Sequence, residues 1–216
     1  MGLEMLLAMA PVPAVICDGP KEVREATPRT IQAFVRGKGK EVLTFMGYSG
    51  AGYESPEGMR REARKLLEGK DPARTLVNIG ATEEGIGAVY AIAKEKGFTT
   101  MGIVSSLART KGVAFSPCVD HVFVVRDGTW GGTLPGGSEL SPTSKAMVES
   151  SKAVVAIGGG DVTRDEFLAA RAAGKPARFI PADMNHAIAR EKARNQGKPE
   201  PTDFRGSLHQ ALMPGP

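Results

Sequence analysis

Short apolar runs alternate with longer amphipathic segments through most of this chain. The runs are four to seven residues long, as in buried strands, and the segments between them repeat their apolar residues with the period of a helix. This alternation predicts a parallel sheet with helices on both faces, in a single Rossmann-like α/β domain. The predicted strands are residues 41–46, 75–79, 99–105, 120–126, 154–157 and 177–180. The predicted helices are residues 55–68, 83–96, 141–150, the segment after Gly160, and residues 184–194.

The two ends of the chain are less regular. Residues 1–40 contain two short predicted helices, at 20–26 and 30–36, and a Gly-Lys linker before the first predicted strand. Residues 195–216 are polar and rich in Pro and Gly, which predicts a tail that is either disordered or draped over a partner. We therefore expect an N-terminal extension at 1–40, the Rossmann-like domain at 41–194 and a C-terminal tail beyond it.

Glycine loops follow three of the predicted strands, at the carboxyl ends where open α/β sheets bind their ligands. Two of these loops, after 75–79 and 154–157, lead into a predicted helix, whose free backbone N–H groups favour an anion. Glycine lets a ligand approach the backbone closely, and phosphate is a common anion at such sites. The sequence therefore predicts a nucleotide or another phosphorylated small molecule as the ligand. The candidate binding residues are Gly47, Ser49, Gly50, Gly80, Thr82, Gly85, Gly158, Gly159, Gly160 and Thr163.

Composition and charge narrow the choice of partner. The 216 residues suit one domain, and the formal net charge of +4 with a pI near 9.1 suits an anionic ligand. No dense block of Lys and Arg occurs, and the basic run at 60–65 has the spacing of a solvated helix face, so nucleic acid is not the predicted partner. The N-terminus lacks the basic start of a secretory signal, and no apolar run reaches membrane-spanning length. We therefore expect no membrane partner and a cytoplasmic location.

The two cysteines, Cys17 and Cys118, form no CxxC pair and show no metal-ligand spacing. Their arrangement predicts two half-buried thiols in a reducing compartment. Neither a metal site nor a cofactor is predicted.

Thr163 and Glu166 lie three residues apart at the start of the helix that follows Gly160. One interpretation is a capping box, in which both side chains bind free N–H groups at the helix end. The other is that Thr163 binds phosphate while Glu166 faces the pocket. Trp130 lies in the glycine-rich segment 127–138, which we predict to be a mobile loop over the ligand. The indole of Trp130 either stacks on a base or anchors the loop.

The segment GGGDVTRDE at 158–166 resembles the PGGxGTxxE motif of the nucleoside 5′-monophosphate phosphoribohydrolases, a family long labelled "lysine decarboxylase"-like. GYSG at 47–50, NIGATEEGIGAVY at 78–90 and SKAM at 144–147 resemble further parts of that family in the same order. The resemblance spans residues 41–183. It implies the Rossmann-like SLOG superfamily, and the chain is also similar in this respect to molybdenum-cofactor carrier proteins.

The resemblance also implies site residues and an assembly. Glu166 stands at the family's catalytic glutamate, and Lys145 lies beside the position of its arginine, so both are catalytic candidates. Ser144 stands where the active hydrolases have that arginine, and a serine cannot supply its charge. This departure favours binding without catalysis, as a carrier-like module or a regulatory nucleotide sensor, and the alternative is hydrolysis of an N-glycosidic bond by Glu166. The family further implies a homodimer formed through the helices that carry Ser144 and follow Gly160.

Overall fold

The computed structural model describes residues 17–213. A single seven-stranded sheet, parallel throughout, forms the centre of the fold, in the order β1-β5-β4-β3-β2-β6-β7. This confirms the predicted Rossmann-like α/β class. The strands are β1 Glu22–Ala26, β2 Glu41–Gly47, β3 Thr75–Ile79, β4 Thr99–Ser105, β5 His121–Val125, β6 Ala153–Ile157 and β7 Ala177–Ile180. The helices are α1 Pro28–Lys38, α2 Pro56–Glu68, α3 Val89–Glu95, α4 Leu107–Thr110, α5 Pro142–Ser150, α6 Asp161–Ala172, α7 His186–Asn195 and α8 Gly206–Leu212.

Helices cover both faces of the sheet, as predicted. α2 and α3 pack on one face, where Leu67 and Tyr90 are buried in one apolar core. α1, α5, α6 and α8 pack on the other face, where Ile31, Phe167 and Leu208 are buried in a second core. The strands between the two cores are buried on both sides, which is why they read as continuous apolar runs.

Two helix starts follow directly from the sequence. Ser55 caps α2 by accepting a hydrogen bond from the N–H of Gly58, and Ser141 caps α5 by accepting one from the N–H of Ser144. A proline follows each of these caps as the first helical residue, where its missing N–H costs no hydrogen bond. The helix predicted at 83–96 begins later than expected, because a 3₁₀ turn at Gly85–Ala88 precedes α3.

The helix predicted at residues 20–26 is wrong, because Glu22–Ala26 form the edge strand β1. Pairing with β5 satisfies the backbone hydrogen bonds of this polar segment and overrides its local preference. Part of the segment predicted as an N-terminal extension therefore belongs to the sheet, whereas the helix predicted at 30–36 is confirmed as α1.

The described part of the C-terminal tail packs against its own domain, which corrects the prediction of disorder or of a partner surface. The hydroxyl of Tyr48 donates to the carbonyl of Arg205 at 2.7 Å and also lies 3.1 Å from the carbonyl oxygen of Ala182. The N–H of Leu208 in α8 donates to the carbonyl of Gly159 at 3.2 Å, and the Leu208 side chain is fully buried. The signal for this docking was a short apolar pair, Leu208 and Leu212, spaced four residues apart in a polar sequence.

A disulfide joins Cys17 to Cys118, with their Cα atoms 4.7 Å apart, so the prediction of two free thiols is wrong. The pairing of β1 with β5 brings the two residues together, and the N–H of Gly19 donates to the carbonyl of Pro117 at 2.9 Å. This contact could not be predicted from the sequence, because it depends on the pairing of β1 with β5 across about a hundred residues. Within residues 17–213, no helix is both long enough and apolar enough to cross a membrane.

A chain of polar groups crosses the otherwise apolar core between β2 and β3. The amide of Asn78 donates to the hydroxyl of Thr44 at 3.1 Å, and Thr44 lies 2.6 Å from the hydroxyl of Ser151. Ser151 in turn donates to the carbonyl of Met147 at 2.7 Å. Asn78 and Thr44 are both fully buried and face each other as register partners of the two strands.

Candidate functional site

The order of the strands reverses at β2, which makes this edge of the sheet a topological switch point. The chain continues from β2 to β3 on one side, and β6 pairs with β2 on the other. Open α/β sheets bind ligands in the crevice outside the carboxyl ends of the strands at such a point. A cavity of about 390 Å³ lies there, bounded by the ends of β2, β3 and β4 and by residues of α5 and α6. That volume is within the range of small-molecule sites.

The walls of this cavity are mostly apolar. The apolar lining residues are Phe45, Met46, Ile79, Ile86, Ile103, Val104, Val113, Trp130, Met147 and Val162. The polar lining residues are Ser49, Thr82, Glu84, Ser105, Thr143, Thr163 and Glu166. Within the described part of the chain, no Lys, Arg or His lines the cavity. An anion in this cavity would therefore be held by backbone N–H groups and hydroxyls rather than by a cationic side chain.

The structure places about half of the predicted site residues in the cavity wall. Those that line it are Gly47, Ser49, Gly80, Thr82, Thr163 and Glu166. Those that do not are Gly50, Gly85, Gly158, Gly159, Gly160 and Lys145. Lys145, a catalytic candidate, is exposed on the outer side of α5.

Two of the predicted binding glycines are required by the packing of the protein itself. Gly158 has φ +58°, and a Cβ there would lie 2.4 Å from the ring of Tyr48. Gly85 has φ +57°, and a Cβ there would lie 2.1 Å from the carbonyl of Tyr48. Both are left-handed conformations that favour glycine. These residues thus shape the loops around Tyr48 rather than facing the cavity.

The capping box, one of the two interpretations of Thr163 and Glu166, does not form. Gly160 is the N-cap of α6, and the Thr163 hydroxyl donates instead to the carbonyl of Gly47 at 3.1 Å. This bond ties the end of β2 to α6 across the switch point and uses the only proton that the hydroxyl can donate. Among the described residues, no side chain caps the N-terminus of α6. Its first N–H groups, and the positive end of the helix dipole, are therefore available to a ligand.

Glu166 is the buried acid of the cavity wall, with 5% of its surface exposed. The hydroxyl of Ser144 donates to its Oε1 at 2.6 Å. Burial raises the pKa of Glu166 to about 7, against the lowering effect of the Ser144 hydrogen bond, and the neighbouring charge of Asp165 raises it further. A carboxyl group that titrates near neutrality in a cavity is suited to proton transfer.

The glycine-rich segment after β5, predicted to be mobile, is held at its base by side chains. Although burial alone would raise the pKa of Asp127, hydrogen bonds from Thr143 and Thr129 lower it below its usual range. Asp165 accepts hydrogen bonds from both the N–H and the hydroxyl of Thr133, at 2.9 and 3.0 Å. Trp130 projects from this held segment into the cavity wall and keeps 53% of its surface exposed.

From the sequence, Ser144 was notable only because it stands where the active hydrolases have an arginine. Asp127 and Asp165 were not among the predicted site residues. All three anchor the glycine-rich segment or Glu166. Asp165 is next to Glu166 in the motif, and Asp127 is the first residue of the glycine-rich segment. These neighbouring motifs were the signal by which the sequence could have indicated both residues. Their partners are 32 and 16 residues away, and only the fold brings these contacts together.

The solved structures that the chain resembles include those of two proteins. It is 23% and 24% identical to two structures of the molybdenum cofactor (Moco) carrier protein from Chlamydomonas reinhardtii, covering 65% of this chain and 76% of theirs, with a TM-score of 0.47. It is 24% identical to the structural-genomics target TM1055, covering 63% of this chain and 72% of that one, with a TM-score of 0.45. At this level the likeness concerns the fold. No protein-family model and no curated protein matches the chain.

Proposed function

We propose that this protein binds a nucleotide or another phosphorylated small molecule in the switch-point cavity. The observation that carries the proposal is the cavity itself, with apolar walls, an exposed Trp130 and the uncapped N-terminus of α6 at one edge. The apolar walls suit the base or another planar group, because aromatic surfaces bury well against Trp and aliphatic side chains. The anion binds at the N–H groups at the start of α6, where Val162 and Thr163 line the cavity, with Ser49 opposite.

The charges of the cavity restrict the anion. Glu84 and Glu166 both line it, and within residues 17–213 no basic side chain does. A polyphosphate would place several negative charges near these carboxylates, whereas a single phosphate group can be satisfied by backbone N–H donors. Each hydrogen bond to the charged group contributes about 1.5–3 kcal/mol. We therefore propose a monophosphate rather than a di- or triphosphate.

The ligand is identified by native mass spectrometry of protein purified without added ligand, and its affinity is then measured by calorimetry. Val162→Asp adds a carboxylate at the cavity wall beside the free N–H groups of α6, so we expect it to weaken binding at least about tenfold. The matched control is Leu168→Asp, on the same helix and exposed to nearly the same extent, 38% against 36%. Leu168 does not line the cavity, so this variant should bind as the wild type does.

Two outcomes would contradict the proposal. One is that no phosphorylated compound is retained and no nucleoside monophosphate, sugar phosphate or inorganic phosphate raises the melting temperature. The other is that Val162→Asp and Leu168→Asp bind the retained compound equally well.

Glu166 supports a second candidate function, hydrolysis of the N-glycosidic bond of a nucleoside monophosphate. Its carboxyl group is buried against the cavity and titrates near neutrality, which suits a residue that stabilises positive charge on the ribosyl group or activates water. The protein would in that case release free base from a nucleoside monophosphate.

Release of base from a panel of nucleoside monophosphates, followed by chromatography, tests this second function. If base is released, Glu166→Gln should reduce the rate more than about 100-fold, since a transition-state charge partner contributes about 3 kcal/mol, while affinity changes little. Glu191→Gln, which alters an exposed carboxylate on α7, is the control and should keep the wild-type rate. Absence of base release from the wild type would leave binding alone as the function.

The homodimer implied by the sequence resemblance stays a proposal. α1 packs against α5, and α8 packs against α6, so parts of the two helices expected at the interface are covered by the chain itself. Leu168 and Val162 on α6 remain exposed to a partner. Light scattering at micromolar concentration should give twice the 22.8 kDa chain mass, and a monomer would contradict the prediction.

A further inference from the structure

We propose that Ser144 is the positioning residue of this site. Its hydroxyl fixes the carboxyl group of Glu166 and the glycine-rich segment that carries Trp130 in one arrangement. This inference rests on the proposed function only in that the two groups form walls of the proposed ligand cavity.

The directions of the hydrogen bonds follow from the chemistry of the partners. The backbone N–H of Gly132 can only donate, and it lies 2.7 Å from the Ser144 hydroxyl oxygen. That oxygen therefore accepts from Gly132, and because the carboxylate of ionised Glu166 can only accept, the serine proton is donated to its Oε1 at 2.6 Å. Ser144 is fully buried, so water does not compete for either bond. The three groups form one directed chain from the backbone of the segment to the carboxyl group.

This chain of hydrogen bonds determines which oxygen of the Glu166 carboxyl group acts on a ligand. Oε1 is occupied as the acceptor of the Ser144 proton. While Ser144 donates to Oε1, a proton held by Glu166 lies on Oε2, and we assign this oxygen to the cavity that Glu166 lines. Ser144 thus fixes both the orientation of the carboxyl group and the position of its acidic proton.

The same chain of hydrogen bonds couples Glu166 to the part of the cavity wall that Trp130 forms. Gly131 and Gly132 have φ +122° and +80°, and a Cβ on Gly131 would lie 3.0 Å from the Ser144 hydroxyl and 3.7 Å from Oε1 of Glu166. The segment therefore lies directly over the carboxyl group. Ionised Glu166 accepts a stronger bond from Ser144, and that polarises the serine oxygen as an acceptor for Gly132. The segment is held more tightly when Glu166 is ionised than when it is protonated.

Few other charged groups can produce this coupling. Asp165 is already bound by Thr133 and by the guanidinium of Arg164. Asp127 is bound by the N–H groups of Thr129 and Thr143. Glu84 lines the cavity from the loop after β3, is exposed, and takes no part in the hydrogen bonds of Ser144.

The test uses ligand-free protein, so it stands whether or not a nucleotide binds. The carboxyl carbon of Glu166 is titrated by ¹³C NMR, and the fluorescence anisotropy of Trp130, the only tryptophan in the sequence, is followed over the same pH range. In the wild type we expect the anisotropy to rise with a midpoint that matches the titration of Glu166. Ser144→Ala should raise the pKa of Glu166 by about one unit, because a hydrogen bond to the charged form is lost, and should abolish the anisotropy step.

Two further variants distinguish a role of Ser144 in positioning Glu166 from a role in the stability of the protein alone. Ser144→Cys keeps the shape and a weak donor, and should restore part of both signals. Ser141→Ala removes the cap of the same helix and should lower stability without moving the titration of Glu166. The proposal is overturned if Ser144→Ala leaves both signals at their wild-type values, or if Ser141→Ala changes them equally.

Discussion

Replacing Glu166 with Gln is expected to stabilise the protein by up to about 3 kcal/mol at pH 8, and by almost nothing near pH 4. Burial raises the pKa of Glu166 from its ordinary value of 4.5 to about 7 in the folded state. The folded protein therefore binds more protons than the unfolded chain between these two values, so its stability falls as the pH rises through this window. This rise of the Glu166 pKa, from 4.5 to about 7, corresponds to about 3 kcal/mol above pH 7. Gln stays neutral at every pH and can still accept the Ser144 hydrogen bond. The variant therefore avoids the decrease in stability that ionisation of Glu166 causes.

Urea unfolding of the wild type and Glu166→Gln at pH 4 to 8 measures this difference, and other titrating groups cancel between the two proteins. Asp165→Asn is the matched control on the adjacent residue, whose side chain is also largely buried. Although burial alone would raise the pKa of Asp165, hydrogen bonds from Arg164 and Thr133 lower it. Its stability contribution is therefore present at neutral pH and lost as the pH falls. Asp165→Asn should destabilise the protein at pH 8, opposite in sign to Glu166→Gln, and equal behaviour of the two variants would refute the assignment.

Loss of the Cys17–Cys118 disulfide is expected to lower the free energy of unfolding by about 2–4 kcal/mol. The bridge joins residues 101 positions apart, and a cross-link that closes a long loop restricts the unfolded chain strongly. It also anchors the start of β1, the edge strand, against the loop that precedes β5. Removal of the disulfide should therefore lower the free energy of unfolding in two ways. It loosens the edge strand β1 in the folded state, and it increases the conformational entropy of the unfolded chain.

Urea unfolding of the oxidised wild type, the reduced wild type and the Cys17→Ala/Cys118→Ala double variant measures this contribution. Reductant should lower the midpoint of the wild type to that of the double variant and leave the double variant unaffected. Two free thiols in denatured, unreduced protein, together with no effect of reductant, would show that the bridge does not form in solution.

The sequence predicted the centre of the fold well, because the central strands are buried on both sides. Thr75–Ile79 and Thr99–Ser105 were predicted residue for residue, since a doubly buried strand is a continuous apolar run with polar segments at each end. β1 was missed for the opposite reason. Its sequence, EVREA, is mostly polar, and it becomes a strand through the backbone hydrogen bonds that β5 offers. No local pattern records a partner that lies about a hundred residues away.

For the candidate site, the sequence indicated the edge of the sheet at which the cavity lies, but not the contacts of each residue there. Three glycine loops indicated the switch point, and Glu166 proved to line the cavity. Gly158 and Gly159 instead allow close packing around Tyr48 and Thr163, since a Cβ on Gly159 would lie 2.4 Å from Thr163. A glycine that admits a ligand and one that admits a neighbouring side chain are identical in sequence, and only the fold distinguishes them.

The buried polar chain from Asn78 through Thr44 to Ser151 has a consequence for the fidelity of folding. β2 and β3 are apolar runs that could slide past each other by two residues and keep every side chain on the same face of the sheet. Such a slip would place Asn78 opposite Val42 or Met46, neither of which has a side-chain oxygen to accept its amide hydrogen. A buried amide hydrogen that loses its hydroxyl acceptor costs about 1–3 kcal/mol, a penalty that the apolar residues around it do not impose. Asn78 therefore favours the native register of β2 and β3 over the registers shifted by two residues. The cavity at the carboxyl ends of these strands depends on that register.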